Sequence, residues 1–254
     1  MVRRTVLVAL ALLALACAAG GCSSSAPQSH TQAPAVIALG DSVPRGTNCN
    51  CKPYPQLSAE TLGANAGKTT TATNDSVSGA TSSDVLRQLD SDDSVISHVR
   101  AADVVEIEIG ANDVAFSKSC GTAVSCYAPG VASVGKNLPA IVARVRELTS
   151  GHKALVVLLD YWSVWLGGEH AAVKGQAYVD AAASVTDEVD DIIKSTAEHS
   201  GSAYVNLRTA FKGPDYAYDE THYLADDGDH PNAAGHERIA SAAAAVIEKA
   251  LHRS

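Results

Sequence analysis

The chain reads as a single α/β domain in three layers, a parallel sheet with helices on both faces. Three observations predict this. The short apolar runs Val36-Ile37-Ala38-Leu39, Val104 to Ile109 and Ala154 to Leu159 have strand length and little polar character, as strands covered on both sides require. Segments with apolar residues at helical spacing lie between them. The alternation runs the length of the chain, with no internal repeat and no second domain. With 254 residues, 46% of them hydrophobic, there is enough chain for one sizeable core.

In order, Val36 to Leu39 is the first strand, and a helix over Tyr54 to Leu62 ends at Gly63. Lys68 to Thr73 is Thr-rich and β-prone. Ser82 or Ser83 can cap a short helix through Leu89. Val104 to Ile109 is a strand, Ser117 to Val134 a loop, and Leu138 to Leu148 a helix ending near Gly151. Ala154 to Leu159 is the strongest buried strand, followed by a turn over Leu166 to Gly168. One long helix is expected from about Ala172 to His199, with Val185, Val189, Ile192 and Ile193 on its apolar face. Ala203 to Leu207 is the last strand, and Pro231 opens a terminal helix reaching about Leu251.

Residues 1–21 read as a leader and not as part of the fold. Arg3 and Arg4 precede the apolar run Val6 to Ala19, which falls short of the roughly 20 residues a membrane span needs. Ala19-Gly20-Gly21-Cys22 resembles a bacterial lipobox, which implies lipidation of Cys22; an ordinary secretory signal is the alternative. Residues 22–34, rich in Ser, Pro and Gln, bury too little to fold and are expected to form a disordered tether, leaving 35–254 as the domain. The protein is therefore expected to be exported and lipid-anchored at the outer face of the cytoplasmic membrane, with secretion as the alternative.

The formal charge of −9 and the lack of a dense Lys/Arg tract argue against nucleic acid, and against an anionic bilayer as partner of the folded part. Four cysteines follow the leader and Cys22: Cys49, Cys51, Cys120 and Cys126. In an exported protein they suggest disulfides, with Cys49–Cys51 and Cys120–Cys126 expected and crossed pairs the alternative. Cys-x-Cys with Cys-x5-Cys is not a usual zinc spacing, and no His/Asp/Glu cluster calls for a metal. No metal and no cofactor is expected.

Three distant pieces fit one hydrolytic site: Gly40-Asp41-Ser42, Gly110-Ala111-Asn112-Asp113 and Asp227-Gly228-Asp229-His230. Ser42 and Asn112 each follow a strand, so both fall at the carboxyl edge of a parallel sheet, where such sheets bind ligands. A Ser hydroxyl needs a base to become nucleophilic, and His230 is the natural one. Asp227, three residues earlier, can reach the far ring nitrogen; Asp229, directly adjacent, is the rival. Asp41 and Asp113 read as turn-holding residues. There is no Gly-x-Ser-x-Gly elbow.

With Ser78-Gly79-Ala80-Thr81 as a further block, the chain resembles the SGNH/GDSL hydrolases over residues 35–252. All four residues of that family's name are present, as Ser42, Gly79, Asn112 and His230. The resemblance implies a flavodoxin-like sheet and an oxyanion hole built from the N–H groups of Ser42 and Gly79 and the side-chain amide of Asn112. It also implies a catalytic trio of Ser42, His230 and Asp227. The expected activity is ester hydrolysis through an acyl-enzyme, on a lipid, a short acyl ester or an O-acetylated glycan, by a monomer. A non-catalytic envelope-binding lipoprotein, a transacylase or a thioesterase are the alternatives. Tyr161, Trp162 and Trp165 are read equally as a pocket wall and as core caps, and Tyr216-Ala217-Tyr218 as a possible pocket rim. His222 and His236 read as surface or packing residues.

Overall fold

The computed structural model describes residues 34–252. The leader, Cys22 and almost all of the tether lie outside the described residues.

Five parallel strands form the sheet: β1 (Val36–Gly40), β2 (Ala72–Asn74), β3 (Val104–Glu108), β4 (Leu155–Leu159) and β5 (Ala203–Val205). Their order is β2-β1-β3-β4-β5, the flavodoxin-like arrangement. The nine α-helices among the described residues are α1 (Ser42–Arg45), α2 (Tyr54–Asn65), α3 (Ser82–Ser91), α4 (Asp93–Ala101), α5 (Ala128–Leu148), α6 (Gly168–Ala172), α7 (Gln176–Ser200), α8 (Leu207–Lys212) and α9 (Ala233–Leu251). Helices α2, α8 and α9 pack together on one side; α3, α4, α5 and α7 pack together on the other. Every residue of β1 and β3 is buried, which is why β1 is apolar throughout.

Glu106 and Glu108 are the exception to that apolar rule, since both are fully buried on β3. They share a polar layer with Ser58, whose hydroxyl donates to Glu106 at 2.8 Å. Burial pushes Glu106 up to about 8 and Glu108 well above the ordinary carboxyl range. These two acids are thus held protonated, the form that burial tolerates.

Several boundaries differ from the expectation, each for a local reason. α5 begins ten residues before Leu138, with Pro129 in its first turn, where a missing N–H costs nothing. Its interior Pro139 is exposed, on the side where a lost backbone bond is least costly. A Cβ on Gly130 would stand 2.0 Å from the Asp113 carbonyl oxygen, so this glycine lets the new first turns press on the Asn112 loop. The expected long helix is α7, which starts at Gln176 and not at Ala172 because Gly175, with φ 92°, turns the chain there, and a separate short α6 precedes it. β2 starts only at Ala72, because the preceding residues fold back on α2 through Lys68 N–H to Gly63 O at 2.7 Å. β5 stops at Val205 because Asn206 caps α8, accepting from Thr209 N–H at 2.6 Å. α4, which no apolar run announced, is capped by Asp92 accepting from Ser94 N–H at 2.9 Å. Pro231 lies before α9 in a bridge to Leu224, and Asn232 is the cap, accepting from Gly235 N–H at 3.0 Å.

Candidate active site

The chain leaves β1 for β2 on one side, and β3 lies on the other, so the crevice at the carboxyl ends of β1 and β3 is the switch point of the sheet. Ser42 follows β1 and Asn112 follows β3, so the crevice has both at its base. Gly40 makes the exit from β1. Its φ is +149°, and a Cβ there would lie 2.0 Å from the Glu108 carbonyl oxygen. Only glycine lets the two strand ends approach this closely.

Asp41 caps α1 by accepting from Val43 N–H at 3.0 Å. Its other oxygen accepts from the Tyr161 hydroxyl at 2.6 Å. Burial pushes the Asp41 carboxyl up to about 6, against the pull of these two donors. The sequence reading of Asp41 as a turn holder is thereby extended: it also ties the Ser42 turn to the segment after β4. The Ser42 N–H, at the first position of α1, has no hydrogen-bond partner.

Asn112 lies in a 3-10 turn, Ala111–Val114. One proton of its side-chain amide goes to the Ala80 carbonyl at 3.0 Å, which leaves the second free to point into the cleft. Asp113 accepts from Ser82 N–H at 2.8 Å and from Ser82 Oγ at 2.6 Å, as a turn-holding role requires. The Gly79 block and the Asn112 block are therefore bonded together next to Gly79 itself. Gly79 has φ +80°, is exposed, and its N–H has no partner. It does not line the main cleft, whereas Ser42, Asn112 and His230 all do.

His230 stands in the loop before α9. Its Nδ1 is 2.7 Å from Asp227 Oδ2. Asp227 Oδ1 accepts from the N–H groups of Asp229 and His230, each at 3.0 Å, and Asn48 Nδ2 donates to Oδ2 at 2.5 Å. Partial burial alone would raise the Asp227 carboxyl, but the bonds from His230, Asn48 and Asp229 outweigh it and hold it far below the ordinary range. Asp227 is therefore an anion fixed against His230. Asp229 makes no such bond; burial raises its pKa, and it faces the cleft. Ser42 and His230 are not hydrogen-bonded to each other in this structure, although both line the same cleft.

The cleft has a volume of about 630 Å³. One part of its wall is apolar and aromatic, with Phe116, Val164, Trp165, Leu166 and Tyr178, while Lys118, Thr122, Ser163, Lys174 and Asp229 add polar groups to the lining. Tyr161, Trp162 and Trp165 prove to be both wall and core: each is at most 2% exposed, yet each lines the cleft. Trp162 stacks on Phe211 with ring centroids 4.3 Å apart, and Trp165 Nε1 donates to the Val114 carbonyl at 2.7 Å. Tyr216 and Tyr218 do not line it; Arg208 sits over the Tyr216 ring, and Tyr218 packs near Gly213. The Asn74 side chain is spent internally, on Pro44 O and Ser76 N–H.

The structure pairs Cys49 with Cys51 and Cys120 with Cys126. Ligand atoms of Cys49, Cys51 and His236 lie within 4.8 Å of one another. The two sulfurs are bonded to each other, however, and His236 Nδ1 accepts from Tyr54 N–H at 3.2 Å. That bond puts the ring proton on Nε2, so the imidazole has no free lone pair to give a metal. Burial lowers His236 to about 4, so it stays neutral as a packing residue against Tyr54. His222 lies against Tyr223.

Sequence reasoning missed Asn48, Tyr161 as a partner of Asp41, and the Ala80 carbonyl that aims Asn112. No signal in the sequence pointed to the last two; Asn48 stands beside the Cys49 that was singled out for another reason.

No curated protein matches the chain. Among solved structures, a lipase, Lip_vut3, from a goat rumen metagenome is similar, at 19% identity and TM-score 0.65 over 84% of this chain and 97% of that one. A lipase/acylhydrolase from Enterococcus faecalis superposes with TM-score 0.59 at 18% identity, over 85% and 96% of the two chains. Axe2, an acetylxylan esterase from Geobacillus stearothermophilus, gives 0.56 at 21% identity, over 82% and 91%. At these identities the likenesses establish the fold. The family model for GDSL-like lipases and acylhydrolases matches residues 38–238, most of the chain and all of the blocks just described, and the chain belongs to that family.

Proposed function

We propose that the protein is a serine ester hydrolase working through an acyl-enzyme. One observation carries the reading: Ser42, Asn112 and His230 line one cleft, and the Asp227 anion is fixed on the far ring nitrogen of His230. In this reading His230 Nε2 takes the Ser42 proton as Oγ attacks the ester carbonyl. Asp227 keeps the other ring proton on Nδ1 and stabilises the imidazolium. The oxyanion is met by the free N–H of Ser42, the second amide proton of Asn112 and the unpaired N–H of Gly79. Collapse releases the alcohol, which leaves with the proton from His230; water then repeats the sequence and frees the acid.

The aromatic part of the wall suits an acyl chain or the face of a sugar, and the lining also offers polar groups, so lipid, short acyl and O-acetyl glycan esters all fit this class. The leader pattern and Cys22 support export and a lipid tether at the outer face of the cytoplasmic membrane.

The test is turnover of a chromogenic ester series, from acetyl to long acyl, by the wild type and Ser42→Ala. Turnover abolished in Ser42→Ala establishes the nucleophile, and the chain-length optimum sizes the pocket. A folded wild type that turns over neither these esters nor acetylated glycans overturns the reading in favour of a binding lipoprotein. Acyl transfer to an added alcohol in preference to water identifies a transacylase, and a preference for thioesters a thioesterase.

A further inference from the structure

The segment between Gly46 and Cys51 does not line the cleft, yet it bonds to the Ser42 turn, the Gly79 block and the Asp227–His230 loop. Gly46, in left-handed conformation at φ 80°, ends α1 and donates to Val43 O at 3.0 Å. Thr47 N–H donates to the carbonyl of Ser42 at 3.0 Å. Thr47 Oγ1 is 2.5 Å from Ser78 Oγ, next to Gly79. Asn48 Nδ2 then crosses to Asp227 Oδ2, the oxygen that His230 Nδ1 also meets. Two consecutive residues thus bond the Ser42 turn, the Gly79 loop and the Asp227–His230 loop.

The backbone here is unusual. Asn48 has φ 60° and Asn50 φ 50°, and both are among the few non-glycine residues in the left-handed region. Asparagine tolerates that region better than other side chains except glycine. The Cys49–Cys51 bridge closes the turn directly after Asn48. A local covalent ring reduces the conformations open to the segment that presents the amide.

We propose that Asn48 is a positioning residue, which fixes the Asp227 carboxylate against His230, and that the Cys49–Cys51 bridge braces it for that task. This rests on the ester-hydrolase reading. Without Asn48, Oδ2 loses the one donor that comes from outside its own loop and keeps only His230 Nδ1; the backbone N–H groups of Asp229 and His230 hold only Oδ1. Asp227 is then freer to turn away from Nδ1, and the histidine loses its fixed tautomer. Substrate binding is untouched, since neither Thr47 nor Asn48 lines the cleft.

Asn48→Gly is the cleanest test, because glycine keeps φ 60° without strain and removes only the donor. The expected result is a kcat lower by about tenfold, in line with the loss of a charge-assisted hydrogen bond, with KM unchanged. The low-field proton resonance of His230 Nδ1–H is expected to move upfield or broaden. Asn48→Asp, which keeps the shape but sets a like charge against Asp227, is expected to lose more. The Cys49→Ser/Cys51→Ser double variant is expected to show a smaller kcat loss in the same direction. A kcat within twofold of wild type together with an unmoved His230 resonance in Asn48→Gly overturns the proposal, as does a change confined to KM. Should the wild type show no Ser42-dependent turnover, the hydrolase reading fails, and the His230 resonance alone still decides whether Asn48 holds the pair.

Discussion

Asn112→Ala separates the bond that the Asn112 amide makes in the structure from the oxyanion bond proposed for it. One amide proton is spent on the Ala80 carbonyl at 3.0 Å, and the other is available to the oxyanion. Removing an oxyanion donor typically lowers kcat by about 10²–10³, or roughly 3–4 kcal/mol of transition-state stabilisation. The structural cost is smaller. Ala80 is 4% exposed, and its carbonyl loses its partner, but Asn112 lines the cleft and water can enter the space it leaves. About 1 kcal/mol is expected, which for a domain of this size lowers Tm by roughly 2–4 °C. The assay is kcat and KM on the best chromogenic ester, with a thermal melt of the same preparation. A kcat within threefold of wild type would refute the donor role. A fall in Tm beyond about 10 °C, with activity falling only as the folded fraction does, would show that Asn112 is a structural residue whose amide serves Ala80 alone.

Other consequences follow from the same geometry. Gly40→Ala places a Cβ 2.0 Å from the Glu108 carbonyl oxygen at a φ of +149°; a loss above roughly 4 kcal/mol is expected, seen as little soluble folded protein in circular dichroism. Tyr161→Phe strips Asp41 of its 2.6 Å partner, which should raise the Asp41 carboxyl further above about 6 and cost roughly 1–3 kcal/mol in a denaturant melt; an unchanged midpoint would sink the idea that this pair holds the Ser42 turn. Glu106 binds its proton up to about pH 8 in the folded chain but only to its ordinary value when unfolded. The native state therefore carries the extra proton, and stability falls as pH rises through that window. Between pH 6.5 and 8 the fall from Glu106 is roughly 2 kcal/mol, and Glu108 acts in the same direction. Asp41, whose change ends at about 6, and His236, whose opposite-signed change runs from 6.5 down to about 4, lie outside this range. Glu106→Gln should accordingly flatten the fall in Tm between those two pH values, and an unaltered slope would be contrary evidence.

The sheet was legible in the sequence because a strand buried on both faces tends to be a continuous apolar run, as β1 and β4 are, and β3 departs from it only at Glu106 and Glu108. Helix limits were less legible. Where α5 begins depends on Gly130 fitting against the Asp113 carbonyl, a contact between segments that no local pattern encodes. The start of α7 was read a few residues early because Gly175, whose positive φ sets it, carries no side chain that a pattern could place. Nothing in the sequence marked Glu106 and Glu108 as buried acids; the packing around β3, with Ser58 of α2 bonded to Glu106, makes them so.

For the site, the sequence by itself determined which chemical groups are present and at which edge of the sheet Ser42 and Asn112 must fall, because a residue after a parallel strand has only one edge to go to. It also put Asp227 within reach of His230, since three residues of chain span little distance. Tertiary structure alone decided that Asn48 reaches Asp227 across 179 positions, that Tyr161 bonds Asp41 across 120, and that the Ala80 carbonyl aims the Asn112 amide. The physical reason is that these bonds join separate loops. Each loop's residues satisfy only local rules, and which polar atom meets which is fixed when the helices close on the sheet.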